Sequence, residues 1–120
     1  MRLLLVLLSS LPHLYVAAVG LREAGASGFL LGVLGWNLVP VAVGTRMAYS
    51  SAPRYGVAWL LATLMSSSWA VWVGLLHPGG STGGLIFLFL PLWNLIVVGP
   101  AGMVIARVSR RYTGRDANAA

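Results

Sequence analysis

The sequence predicts an all-α integral membrane protein of four transmembrane helices, built as two tandem parallel helical hairpins. Three observations predict it. Hydrophobic residues make up 58% of the 120-residue chain and charged residues only 8%, with a mean hydropathy of +0.86, too little charge to give a soluble domain a watered surface. Four apolar windows are each about 20 residues long, enough at about 1.5 Å per residue to cross a hydrocarbon core of roughly 30 Å. The second half of the chain also repeats polar positions of the first.

The windows run from Leu3 to Leu21, Gly28 to Met47, Val57 to Leu76 and Leu85 to Ala106. Irregular backbone is too costly in contact with lipid, so each window reads as a helix, with Pro12, Pro40, Pro91 and Pro100 as kinks. The first window also resembles a secretory leader, because Met1-Arg2 precedes Leu3 to Leu8 and a small-residue run follows at Val16-Ala17-Ala18. Its counterpart in the second half favours a retained helix. The expected organisation is a four-helix domain over residues 1–111, with repeats at about 1–50 and 57–107, followed by a flexible cytoplasmic tail over 112–120.

Charge sets the expected orientation. The net charge of +6 comes from eight arginines against Glu23 and Asp116, with no lysine. Arg2, Arg46, Arg54, Arg107, Arg110, Arg111 and Arg115 fall on one side, and only Arg22, beside Glu23, falls on the other. Short arginine-rich segments stay cytoplasmic, so both termini are expected on the cytoplasmic side of a cell inner membrane. Arg46, Arg54, Arg107, Arg110 and Arg111 would then orient the chain and contact anionic lipid. Their position at segment ends also argues against nucleic-acid binding. The uncharged segment from His77 to Gly84 reads as a flexible outer loop.

The repeat appears when the chain is aligned with itself at an offset of about 57 residues. This pairs Ser9-Ser10 with Ser66-Ser67 and Trp36-Asn37-Leu38 with Trp93-Asn94-Leu95, alongside several Leu and Val identities. Two hairpins entering from the same side are related by a pseudo-two-fold axis along the membrane normal. On helical rise, both polar sets fall within several Å of the bilayer midplane. The polar layer comprises Ser9, Ser10, Asn37, Thr63, Ser66, Ser67, Ser68 and Asn94, and Ser9 or Ser10 shares a face with His13.

Such a layer has two readings. Amide and hydroxyl oxygens of Asn37, Asn94, Ser9, Ser10, Ser66 and Ser67 could line a path for an ion or polar solute. Alternatively they hydrogen-bond across helices and hold the bundle together, the ordinary use of polar residues in membranes. Trp36 and Trp93 sit too deep for an interfacial belt, so their indole N–H groups need partners inside the bundle. Trp59, Trp69 and Trp72 read as interfacial anchors or packing. Gly28 and Gly32 form a small-x-x-x-small step, and Gly102 with Ala106 another, spacings that let helices approach closely in the bundle or in a dimer.

Catalysis finds little support. Neither acidic residue lies inside any of the four apolar windows, which removes paired carboxylates, hydrolytic metal sites and the carboxylate of proton-coupled exchange. The serines lack a carboxylate-oriented histidine. Cysteine is absent, excluding disulfides and thiolate chemistry. His13 and His77 would lie about 10 Å apart along the membrane normal, a poor arrangement for axial ligation of one haem. No cofactor and no metal are therefore expected. The functional expectation is non-enzymatic: an accessory or assembly protein of a membrane complex, acting as a homo-oligomer or with a larger membrane-protein partner. The alternative is an oligomeric channel or transporter for an ion or small solute.

Overall fold

The computed structural model describes residues 1–77 and 85–119, and side chains at 24 and 115–119 are not described. The connection from Pro78 to Gly84 lies outside the described residues. Five α-helices follow in order: α1 (Arg2–Ala24), α2 (Gly28–Ala48), α3 (Pro53–Val71), α4 (Ile86–Trp93) and α5 (Gly99–Ala119). A π-helical turn at Trp72–Leu76 extends α3, and another at Asn94–Val98 joins α4 to α5 into one rod. Among the described residues, four helical stretches are long and apolar enough to cross a membrane: Arg2–Glu23, Gly28–Ala48, Pro53–Leu76 and Ile86–Gly114.

Local chemistry accounts for the boundaries. Ser27 accepts the Leu30 backbone N–H through its hydroxyl, capping α2. Pro53 opens α3 at the first turn, where its missing N–H costs nothing. Gly25, at φ 71°, ends α1 in the left-handed region that side chains avoid. Beyond the expected fourth window the chain stays helical through Ala119, with exposed side chains from Arg107 to Gly114. Arginine is a good helix former, and no proline interrupts this stretch.

Helix α3 is the centre of the bundle, packing against α1, α2 and the α4–α5 rod, while α2 packs against α1 and α4. Its buried face runs Gly56, Leu60, Thr63, Ser67, Ala70 and Gly74, alternating steps of four and three. Helix α1 instead buries Leu5, Ser9, His13 and Ala17 at steady steps of four. Both patterns place one stripe on the neighbouring helices. The outward faces are large and apolar: Phe29 and Met65 are each 74% exposed and Phe89 67%. In water this surface would be an aggregation liability, and against hydrocarbon it is ordinary.

Two close approaches tighten the bundle. A Cβ on Gly56 would collide with the Ala48 backbone nitrogen, so α2 and α3 cross nearly backbone to backbone. A Cβ on Gly99 would stand 2.5 Å from the Trp59 ring, which lies between Gly99 and Gly44. Trp59 is 6% exposed and donates its indole N–H to the Pro40 carbonyl at 2.9 Å. It is therefore a core anchor rather than an interfacial residue, the reason being its place beside Gly56, Leu60 and Thr63 on the buried face.

Candidate functional site

Halfway along the helices, six polar side chains among the described residues are buried: Ser9, His13, Asn37, Thr63, Ser67 and Asn94 are all 0–2% exposed. Such groups need partners, because an unpaired buried amide or hydroxyl forfeits its bonds to water. Most find them across helices.

Three helices meet in one chain of bonds. Asn94 donates its amide Nδ2 to the Ser67 hydroxyl at 3.3 Å, and Ser67 Oγ lies 3.3 Å from His13 Nε2. Ser67 thus couples α1 to the α4–α5 rod through α3. A turn earlier on α1, Ser9 donates its hydroxyl to the Leu60 carbonyl of α3 at 3.2 Å. The steps of four on α1 aim Ser9 and His13 at the same neighbour.

Helices α2 and α4 are joined by a different device. Pro91 has no N–H, so the Phe87 carbonyl one turn earlier lacks its helical donor. Asn37 Nδ2 supplies one at 2.9 Å and also donates to the Val33 carbonyl at 2.8 Å. Two carbonyl acceptors require the NH2 end of the amide to face them, which leaves Oδ1 turned away. Beside it, Trp36 donates its indole N–H to the Leu88 carbonyl at 2.9 Å.

The π-helical turn completes the arrangement. The spacing from Asn94 to Gly99 is one residue longer than an α-helical step, so the buried face of α4, at Phe87, Leu90, Pro91 and Asn94, continues in α5 at Gly99 and Gly102. Without that residue, Gly99 would rotate away from the Trp59 ring. Among the described residues, three buried side-chain oxygen atoms remain without a hydrogen-bond partner: Asn37 Oδ1, Thr63 Oγ1 and Asn94 Oδ1.

The sequence-derived residues divide clearly. Ser9, Asn37, Ser67 and Asn94 lie in the buried layer, whereas Ser10 and Ser66 are half-buried and Ser68 is exposed. Ser10 returns its hydroxyl to the Val6 carbonyl of its own helix at 2.9 Å. Trp36 has the partner its depth demanded, whereas Trp93 is 56% exposed on the outer face. Gly102 is buried, with the Ala58 carbonyl 2.9 Å from where a Cβ would stand. Gly28 and Gly32 face open space, so their spacing does not close this bundle. Arg46, Arg54, Arg107, Arg110 and Arg111 are all exposed. His77 is exposed, its ring 4.2 Å from that of Trp72.

Thr63 and His13 belong at the centre of this site. Their signal was spacing: His13 follows Ser9 by four residues, and Thr63 precedes Ser67 by four. Among the described residues no cluster of three or more His, Cys, Asp or Glu side chains is placed to hold a metal ion.

The open grooves on the outside of the bundle include three formed by described residues. One is lined by Ser66, Trp69, Ile86, Phe89, Leu90 and Trp93. The second is lined by Tyr55, Pro100, Met103, Val104 and Arg107, and the third includes Met1, Arg2, Pro53 and Arg54. Comparison with protein-family models, curated proteins and solved structures gives no match to the chain.

Proposed function

We propose that the chain is a multi-pass protein of a cell inner membrane, with both termini cytoplasmic, and that it serves as a non-enzymatic accessory or assembly component of a membrane complex. The carrying observation is that the donors of Ser9, Asn37 and Asn94 end on acceptors within the protein. A polar layer used this way ties the helices to one another, the ordinary role of such residues in hydrocarbon. The matching Ser-Ser and Trp-Asn positions support descent from a duplicated hairpin. The two asparagines have since taken different partners, Phe87 for Asn37 and Ser67 for Asn94.

The apolar outer faces of four helices leave ample surface for a homo-oligomer or a larger membrane protein. The test is purification in mild detergent with the particle mass read by native mass spectrometry. A stoichiometric complex with a different membrane protein supports the assembly role. A clean homo-oligomer that conducts a solute in liposomes refutes it.

A second reading, an oligomeric channel or transporter, draws on the unpartnered oxygens of Asn37, Thr63 and Asn94, which could accept from a polar solute or coordinate a cation. Asn37→Ala and Asn94→Ala separate the two. Lower melting temperatures in detergent support the structural role. Unchanged melting with lost solute flux supports the path.

A further inference from the structure

We propose that the N-terminal end of α3 is a binding site for an anionic glycerophospholipid, with its phosphate held by Arg54 and Arg107 and its acyl chains lying in the two grooves beside α3. This rests on the membrane reading above. The first groove, about 380 Å³, is lined by Tyr55, Pro100, Met103, Val104 and Arg107. The second, about 350 Å³, is lined by Met1, Arg2, Pro53, Arg54, Val57, Ala58 and Leu61. They flank the same turn of one helix, because Arg54 and Tyr55 are consecutive residues contributing to opposite grooves.

Each groove has the polarity of a lipid. Apolar side chains of Pro100, Met103 and Val104 form the floor of one, and those of Val57, Ala58 and Leu61 form the floor of the other. In both, arginine supplies the charge: Arg107 in the first, Arg2 and Arg54 in the second. Among the lining residues of the two grooves there is no acidic side chain to neutralise these arginines. The Arg54 guanidinium carbon lies 5.0 Å from the centre of the Tyr55 ring, a cation–π contact between a residue of one groove and a residue of the other. The start of α3 adds the positive end of the helix dipole at the same place, although Pro53 has no N–H and the Ala52 and Tyr55 N–H groups are already bonded to Ser50 and Ala52. A neutral apolar helix would leave these charges unanswered. A phosphodiester with two hydrocarbon chains satisfies both parts of the surface. The third groove, at Ser66, Trp69 and Trp93, carries no charge and has no such preference.

The test uses the full chain in neutral detergent, titrated with phosphatidylglycerol or phosphatidylcholine, with bound lipid counted by native mass spectrometry. Phosphatidylglycerol is expected to be retained in preference. Arg54→Gln and Arg107→Gln should each weaken that retention about fivefold, the worth of one arginine near an anionic surface. Arg110→Gln and Arg111→Gln remove the same charge outside the grooves, where contact with anionic lipid is diffuse, and should weaken retention far less than the groove variants. Val104→Trp, which fills a groove without altering charge, should reduce it.

Equal retention of the two lipids overturns the proposal, as does an equal loss in the Arg110 and Arg111 variants, which would mean diffuse attraction. Full displacement by soluble glycerol phosphate also overturns it, because the site would then read only the phosphate. Carbonate extraction keeps the premise separate. A chain that stays in the membrane but shows no lipid preference fails this proposal alone, and a chain released by carbonate fails the membrane reading.

Discussion

Removing the Asn37 amide tests whether a proline-freed carbonyl holds α2 to α4. Asn37→Ala deletes the donor to the Phe87 carbonyl, which Pro91 cannot replace. An acceptor stranded this way costs about 1–3 kcal/mol in a protein interior, and measured interhelical bonds in membranes average about 0.6 and reach about 1.7 kcal/mol. The same substitution removes Asn37 Oδ1, itself buried without a partner, and so returns part of the loss. The Val33 carbonyl keeps a helical donor in the residue 37 backbone N–H. The single variant therefore gives the sign of the loss, and the coupling to Pro91 gives the size of the bond.

Pro91→Ala restores a backbone N–H at the position that serves Phe87 in a regular α-helix. Asn37→Ala should then cost less in the Pro91→Ala background than in the native chain, by about 0.6–1.7 kcal/mol. The assay is equilibrium unfolding in mixed micelles of rising SDS fraction, followed by far-ultraviolet circular dichroism on all four members of the cycle. Trp36→Phe paired with Pro91→Ala is the control. Trp36 donates to the Leu88 carbonyl, whose helical donor Leu92 already has its N–H, so that coupling should be the smaller. Additivity of Asn37→Ala and Pro91→Ala within about 0.3 kcal/mol would refute the account of why these helices meet there.

Three further outcomes follow from the geometry. Gly56→Ala and Gly99→Ala should destabilise by about 1–3 kcal/mol or more, because the new methyl meets the Ala48 backbone or the Trp59 ring, whereas Gly28→Ala should raise monomer stability by up to about 1 kcal/mol. The same unfolding assay reads all three, and a tolerated Gly56→Ala would contradict the α2–α3 crossing. Ser67→Ala should cost about 1–3 kcal/mol by stranding the His13 ring nitrogen and the Asn94 amide, while Ser66→Ala, one residue away, should stay within about 0.5 kcal/mol. Equal melting temperatures for the two serine variants would break the three-helix chain of bonds. The cysteine-free sequence also permits a clean topology experiment: a membrane-impermeant maleimide should label Ser51→Cys only from the cytoplasmic side and Ala26→Cys only from the opposite side. Labelling of both from one side would refute the orientation.

The sequence by itself determined the number of membrane-length helices and how far along them the polar residues sit. Both depend on one-dimensional quantities, apolar length and rise per residue, which need no knowledge of neighbours. The same reasoning marked Ser9, Asn37, Ser67 and Asn94 and required a partner for the Trp36 indole. Which members of each pair would be buried was a question of rotation about the helix axis, and only packing decided it. Ser9 is inside while Ser66, the serine matched to it by sequence alignment, lines an outer groove, and Trp36 bonds to Leu88 while Trp93 stands exposed.

Partners were equally beyond the reach of spacing. Asn37 finds the one carbonyl that Pro91 leaves without a donor about 50 residues later, a match that exists only once α2 and α4 are side by side. The π-helical turn at Asn94–Val98 is decided in the same way. It adds a residue so that Asn94 and Gly99 can both face α3, one to reach Ser67 and the other to admit the Trp59 ring. An amide inside apolar surroundings announces that it needs a partner, and the backbone of the neighbouring helix determines which one it gets.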